Sequence, residues 1–157
     1  MLYYVVIVYY RVPTTGVVFF RDEGDEVPAL EFLKDCATRD KRIVAKFETR
    51  IKRLEELGWE LTRPEADTLR DGVHELRVKF SGVNYRLLYG FYREGNAMAI
   101  LAHGCTKEDI VPPKDIDIAK KRLERFKADP AKHTHVVVSG GNDEDNPADP
   151  AGSEVDQ

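Results

Sequence analysis

HELRVKFSGVNYRLLYGFY, residues 74–92, sets two strand-like runs on either side of a Ser81-Gly82-Val83 turn. In its first half Leu76, Val78 and Phe80 fall on one side and Glu75, Arg77 and Lys79 on the other, the two-residue period of a half-buried strand. Residues 74–80 and 85–92 are therefore predicted to pair as an antiparallel hairpin. Glu94-Gly95-Asn96 supplies a second turn and residues 97–103 a third strand, which makes a meander.

A sheet of this kind needs helices to cover its apolar face, and the flanking sequence supplies them. Pro28 suits a first helical turn, with Leu30, Leu33 and Ala37 giving a short helix that ends near Thr38. Asp40 is a candidate N-cap for a longer helix in which Ile43, Phe47, Ile51, Leu54 and Leu57 keep a 3.6-residue period, and Gly58 stands where a left-handed C-cap is wanted. The outer face of this helix carries Lys41, Lys46, Arg50, Lys52 and Arg53, a pattern read first as a solvated face and second as a nucleic-acid contact. Downstream, Pro112-Pro113 opens a last helix with Asp115 and Asp117 at its positive end and Ile116, Ala119, Leu123 and Phe126 as its buried stripe. The expected fold class is α+β: a small antiparallel sheet with two N-terminal helices packed on it and a C-terminal helix.

Residues 2–10, LYYVVIVYY, are apolar but only nine long, closed by Arg11 and Pro13, with no basic leader or small-residue cleavage site. That is too short to span a bilayer, and a strand is expected, joined through Pro13-Thr14-Thr15-Gly16 to the run at 17–21. At the other end, residues 128–157 carry one Lys against seven acids and lack apolar periodicity, so an acidic, unstructured tail is expected; Val136 to Val138 are the exception, a candidate edge strand. The chain divides on this reading into an N-terminal extension (1–16), one folded domain (17–130) and the tail (131–157).

With 157 residues, 42% of them hydrophobic and 33% charged, the composition suits one modest core and excludes a fibre or wholesale disorder. The net charge of −4 conceals a basic interior, since residues 39–127 hold 20 basic and 15 acidic side chains. Such a balance permits a polyanionic partner without requiring one. Cys36 and Cys105 are far apart with no CxxC spacing, which indicates neither a zinc site nor a disulfide framework and points to a reducing cytoplasm.

Three blocks carry a resemblance: Leu69-Arg70-Asp71-Gly72-Val73-His74-Glu75-Leu76-Arg77-Val78, then Asn84-Tyr85-Arg86-Leu87-Leu88-Tyr89, then Leu101-Ala102-His103-Gly104-Cys105-Thr106-Lys107. In order and spacing they resemble the phage-derived, HigB-like branch of the RelE/ParE superfamily, and the likeness runs roughly from Val17 to Lys127. The resemblance implies a RelE-like fold and the toxin of a type II toxin–antitoxin module. Such a toxin is an endoribonuclease that cuts mRNA, often in the ribosome's decoding site. Its partner would be a cognate antitoxin, frequently a helix-turn-helix repressor, with no membrane association. The superfamily also holds ParE-like members that poison DNA gyrase without cutting RNA, and a degenerate, purely protein-binding relative is a further alternative.

RNA cleavage without a metal or other cofactor needs a base for the 2′-hydroxyl, cations for the developing phosphorane and an acid for the 5′-oxygen. No HExxH or clustered Asp/His signature stands in the sequence, so a metal-free route is favoured. Glu75, Arg77 and Lys79 share one strand face, and Arg86 lies on the neighbouring strand. Arg77 and Arg86 look like the phosphate-contacting positions of RelE-like relatives and Lys107 like their late basic position, so these three with Glu75 are the candidate catalytic set. Glu75 could act as the base or could orient Arg77 and Arg86. Arg70, Lys79 and Tyr85 are candidate RNA contacts, with Tyr85 open to stacking, to acid catalysis or to a core position. His103 reads as a packing residue before a catalytic one, and Cys105 has no partner that would make it a nucleophile. The chain departs from the family pattern at Glu108, where a second lysine is usual, at Pro112-Pro113 in place of Thr-Pro, and at Cys105 in place of an aromatic residue.

Overall fold

Ser81 and Gly82 both have left-handed backbones, φ 46° and 76°, which is the conformation that a two-residue hairpin loop demands. The register on either side follows from it: Phe80 pairs with Val83, Lys79 with Asn84, Arg77 with Arg86 and Glu75 with Leu88. A computed structural model describes residues 15–92 and 97–136. The elements run β1 (Gly16–Phe20), α1 (Pro28–Arg39), α2 (Lys41–Leu57), a 3-10 turn (Gly58–Glu60), β2 (Ala66–Thr68), β3 (His74–Phe80), β4 (Val83–Tyr92), β5 (Met98–Lys107), α3 (Pro113–Ala128), α4 (Pro130–His133) and β6 (Thr134–His135).

The six strands form one sheet in the order β2-β3-β4-β5-β1-β6. The sheet is mostly antiparallel, but β1 runs parallel to β5. That departs from the all-antiparallel expectation, and the cause is connectivity. After β1 the chain crosses through α1 and α2 and builds the meander from the far edge inward, so β5 arrives beside β1 in the same direction. The architecture is the α+β arrangement consistent with a RelE-like fold.

Helix boundaries follow local chemistry. Asp40 closes α1, its N–H donating to Cys36 O, and opens α2, its carboxylate accepting from Arg42 N at 2.9 Å. Gly58 ends α2 with φ 55°, donating to Leu54 O. Both helices pack on one face of the sheet, where Leu33, Ile43, Phe47 and Leu54 meet Leu76, Leu87, Tyr89 and Leu101. A fully buried side chain of this size contributes roughly 1.5–3 kcal/mol. At Gly104 an added Cβ would collide with the Phe32 ring, so glycine is what lets α1 lie this close to β5.

Helix α3 covers the opposite face, packing Ile116, Ala119, Leu123 and Phe126 on Val18, Phe20, Leu88, Ile100 and Ala102. No β3 residue belongs to that second core. Among the described residues no helix therefore lies over the β3 side of this face, and that half-covered surface positions the candidate site.

Folded structure continues beyond residue 130, where the sequence placed the end of the domain. Pro130–His133 make one helical turn, and Thr134–His135 pair with Phe19 and Phe20. His133 anchors this piece, buried and stacked on Phe20 with Nδ1 2.7 Å from Arg21 O. Of the valine run in which an edge strand was expected, Val137 and Val138 lie outside the described residues. The predicted strand at 2–10, the Pro13-Thr14 half of its turn, the turn at 94–96 and most of the acidic tail lie outside the described residues. No helix among the described residues is long and apolar enough to cross a membrane.

Candidate functional site

Cross-strand register brings the candidate side chains into rows on the uncovered half of the sheet. One row reads Lys79, Asn84, Lys107 across β3, β4 and β5, the next Arg77, Arg86, Cys105, and the third Glu75, Leu88, His103. Two arginines directly opposite each other would repel. Glu75, one row further on, resolves this by taking both.

Arg77 Nη1 donates to Glu75 Oε1 at 3.2 Å, Arg86 Nε lies 3.1 Å from Oε2, and Lys107 Nζ lies 3.8 Å from Oε1. Glu75 is 1% exposed and Arg86 3%, whereas the side chains of Lys107 and Arg77 are 12% and 22% exposed. The four residues therefore split into a buried pair and two cations that reach the surface. The Glu75–Arg86 contact has ion-pair distance but not hydrogen-bond alignment, and neither Oε2 nor Nε has another hydrogen-bond partner. Arg86 Nη1 is satisfied by Tyr85 O at 2.9 Å. Three cations around one carboxylate leave the cluster with a net positive charge.

Burial pulls the Arg86 guanidinium below its ordinary range, with Glu75 pulling it back up. Lys107 is drawn below that of a free lysine by burial first; Glu75 opposes the change, and Arg86, Arg77 and Arg63 add to it. The backbone of Arg77 is pinned on both sides, its N–H donating to Glu65 O and its carbonyl accepting from Arg50 Nε. A side chain carried on a backbone held in this way is aimed by the scaffold and not by a mobile loop.

Two participants were not visible in the sequence. Asp67 lies opposite Glu75 on β2, 3.8 Å from Arg77, and Arg63 bonds Asp67 at 2.7 Å. Arg77 therefore sits between two carboxylates. Strand β2 has only three residues, too few to show a period, and only its pairing with β3 reveals Asp67.

Other candidates are placed differently from expectation. Tyr85 is buried on the α1–α2 face, opposite the cations, because strand alternation turns it away from its neighbour Arg86; it is a core residue and not an RNA contact. Arg70 bonds Asp71 and Asp117 at 2.8 and 2.9 Å and reaches Pro113 O, so it ties its loop to the start of α3 and does not reach toward the cluster. Lys79 is exposed on the cation face, as predicted.

His103 is fully engaged. Asp115 Oδ1 lies 2.7 Å from its Nε2, and Arg122 Nη1, which also donates to Ala102 O, lies 3.0 Å from its Nδ1. An arginine can only donate, so Nδ1 accepts, and the proton sits on Nε2 facing Asp115. This is a lock between β5 and α3. Cys105 faces the cluster, but burial, with Asp115 and Glu75, pushes its thiol up to about 12, which keeps it protonated and unreactive.

Residues 34–124 match the family model of phage derived protein Gp49-like. The chain belongs to the Gp49-like family. The matched span takes in every member of the cation cluster and leaves β1 and β6 outside it. This Gp49-like family is associated with toxins of the RelE/HigB type, which makes a toxin–antitoxin role compatible with the chain. A search of curated proteins gave no match.

Proposed function

We propose that this Gp49-like protein is the toxin of a type II toxin–antitoxin pair and cuts mRNA in the cytoplasm as a metal-free endoribonuclease, restrained by a helix-turn-helix antitoxin. The observation that carries the reading is the cluster of Arg77, Arg86 and Lys107 about one buried carboxylate, on the part of the sheet that no helix among the described residues covers. The domain responsible is the one predicted at 17–130, carried on to residue 135 by α4 and β6.

In RNA cleavage the 2′-oxygen attacks phosphorus, the bond to the 5′-oxygen breaks, and the products are a 2′,3′-cyclic phosphate and a 5′-hydroxyl. Charge builds on the non-bridging oxygens on the way. Preorganised cations answer that charge without reorganising, which is the contribution this cluster is built to make. Arg77 and Lys107 are the partly buried pair whose ends reach the surface, and they contact the phosphate. Arg86 is too buried to reach it and acts with Glu75 as the frame. Glu75, enclosed by three cations and 1% exposed, orients them and is not the base.

Primer-extension mapping of mRNA during brief induction tests the reading, with wild type set against Arg77→Ala and Lys107→Ala proteins of demonstrated fold. Discrete cuts that vanish in both variants support it. Growth arrest with intact mRNA would overturn it and direct attention to gyrase supercoiling.

A further inference from the structure

Beside the cation cluster lies an open groove walled by Val83, Asn84, Thr106, Lys107, Glu108 and Ile110. Ile110 is 72% exposed and Val83 37%, so two of the five large apolar side chains exposed among the described residues stand on this one groove. Scattered single exposures need no explanation, but two on the same groove next to a cation cluster make a combined surface. Lys107 belongs to both, and Asn84 stands between Lys79 and Lys107 in the cross-strand row. Cations alternating with apolar contact surface match single-stranded nucleic acid, in which phosphates and flat base faces recur along the strand.

The charge of the groove says which part of the strand enters it. Glu108 and Asp109 line it, and two carboxylates would repel a second phosphate, whereas they accept hydrogen bonds from base donors. We propose, building on the ribonuclease reading above, that the groove takes the nucleobase attached to the phosphate held by Arg77 and Lys107, and that it selects guanine. Val83 and Ile110 lie against the ring faces. The Glu108 carboxylate, with two acceptor oxygens, takes the adjacent N1–H and N2–H donors of guanine's Watson–Crick edge. Uracil offers a single N3–H between two carbonyl oxygens that the carboxylate repels. On this account Glu108, which stands where relatives usually carry lysine, is the residue that sets base preference.

The test is an NMR titration of the full chain with guanosine 3′- and 5′-monophosphate and the two uridine counterparts, which needs no cleavage. One guanosine isomer should bind more tightly than its uridine equivalent by about fivefold or more, the low end for a two-bond base contact at an exposed site. Glu108→Gln should bring the two bases near parity, Ile110→Ser should weaken both, and Arg77→Ala should weaken both while keeping their ratio. Glu108 and Ile110 are exposed, so neither change threatens the fold. Equal binding of the two bases by wild type, or a preference indifferent to Glu108→Gln, overturns the proposal. So does a groove that no nucleotide perturbs but that a co-expressed antitoxin shields from hydrogen exchange. Base preference without mRNA cleavage would remove the ribonuclease reading and leave the groove assignment standing; cleavage without base preference would do the reverse.

Discussion

Glu75 and Arg86 face each other diagonally across β3 and β4 at 3.1 Å, both almost wholly buried, and out of line for a hydrogen bond. A buried pair of this kind is a poor source of net stability but a costly thing to break, since removing one partner strands the other's charge away from water. Glu75→Gln should therefore destabilise the fold by about 3–5 kcal/mol, while Arg77→Ala, which leaves the pair intact, should cost about 1 kcal/mol or less. The Glu75→Met/Arg86→Met double variant should recover most of the loss. Urea unfolding of the four proteins decides it, and equal losses from Glu75→Gln and Arg77→Ala would refute the division into frame and contact residues.

Lys107 should give the site its alkaline limit. Burial and the three neighbouring arginines outweigh Glu75 and set its ammonium below that of a free lysine, so charge is lost at lower pH than usual. The sign follows directly: anion affinity is full while Lys107 is protonated and falls as pH rises through its lowered value. Inorganic phosphate binding measured from pH 7 to 10 should decline in wild type and stay flatter in Lys107→Arg, whose guanidinium holds its proton throughout. Parallel declines in the two proteins would contradict the assignment.

Tyr85→Phe should leave RNA cutting unchanged, because the ring lies on the α1–α2 face and the phosphate would lie on the other. Tyr85→Ala should cost about 3–5 kcal/mol of stability through the cavity it leaves. A loss of cleavage in well-folded Tyr85→Phe would place the ring on the wrong side of the sheet.

The His103 lock makes a prediction about acid. Burial lowers its imidazole and Arg122 adds to that, with the Asp115 hydrogen bond opposing them. A histidine whose folded value lies below its unfolded one, about 6.5, contributes its full stability above that pH and loses it as pH falls toward the folded value. His103→Gln, whose amide can accept from Arg122 and donate to Asp115, should flatten the fall in melting temperature between pH 7.5 and 5. His74 is lowered by burial as well, so the comparison belongs between His103→Gln and wild type and not with a histidine-free chain. An unchanged slope would show that the lock does not titrate in this range.

What could be read from the sequence was whatever repeats with a short period or sits at a fixed offset from a turn. The β3–β4 alternation and the Ser81-Gly82 loop together set Arg77 against Arg86, and the Asp40 and Gly58 caps bound α2. Tyr85 shows the limit within the same strand: the period that places Arg86 on the cation face places Tyr85 off it, yet its aromatic ring invited a stacking role. Asp67 and Arg63 were hidden because long-range pairing, not local pattern, brings β2 to β3. The parallel entry of β1 was hidden for the same reason. Arg70 needed the position of Asp117, 47 residues away, to show its role.

Lys107 reaches the cluster only because the register of β4 and β5 slips at one place. Residues up to Leu101 pair with Tyr89 and beyond, residues from His103 pair with Leu88 and before, and Ala102 is left without an opposite number. Such a bulge changes which parity of residue faces which side. Before it, Ile100 and Ala102 point toward α3 and Leu101 toward α1; after it, His103, Cys105 and Lys107 lie in the rows of Leu88, Arg86 and Asn84, on the cation side. The extra residue lets Ala102 and His103 face the same side in succession. Deleting Ala102 while keeping the β4–β5 pairing from Met98 to Leu101 would bring His103 directly after Leu101 and opposite Leu88, so plain alternation would still hold His103, Cys105 and Lys107 on the cation side. Phosphate binding should therefore survive, while stability falls because Ala102 is missing from the core under α3. Deleting Ala102 and His103 together would shift every later residue by one place and turn Lys107 to the α1 face, and phosphate binding should then be lost. Phosphate binding lost in a well-folded Ala102-deleted protein, or kept in the double deletion, would mean that facing direction is not what places Lys107 in the anion site.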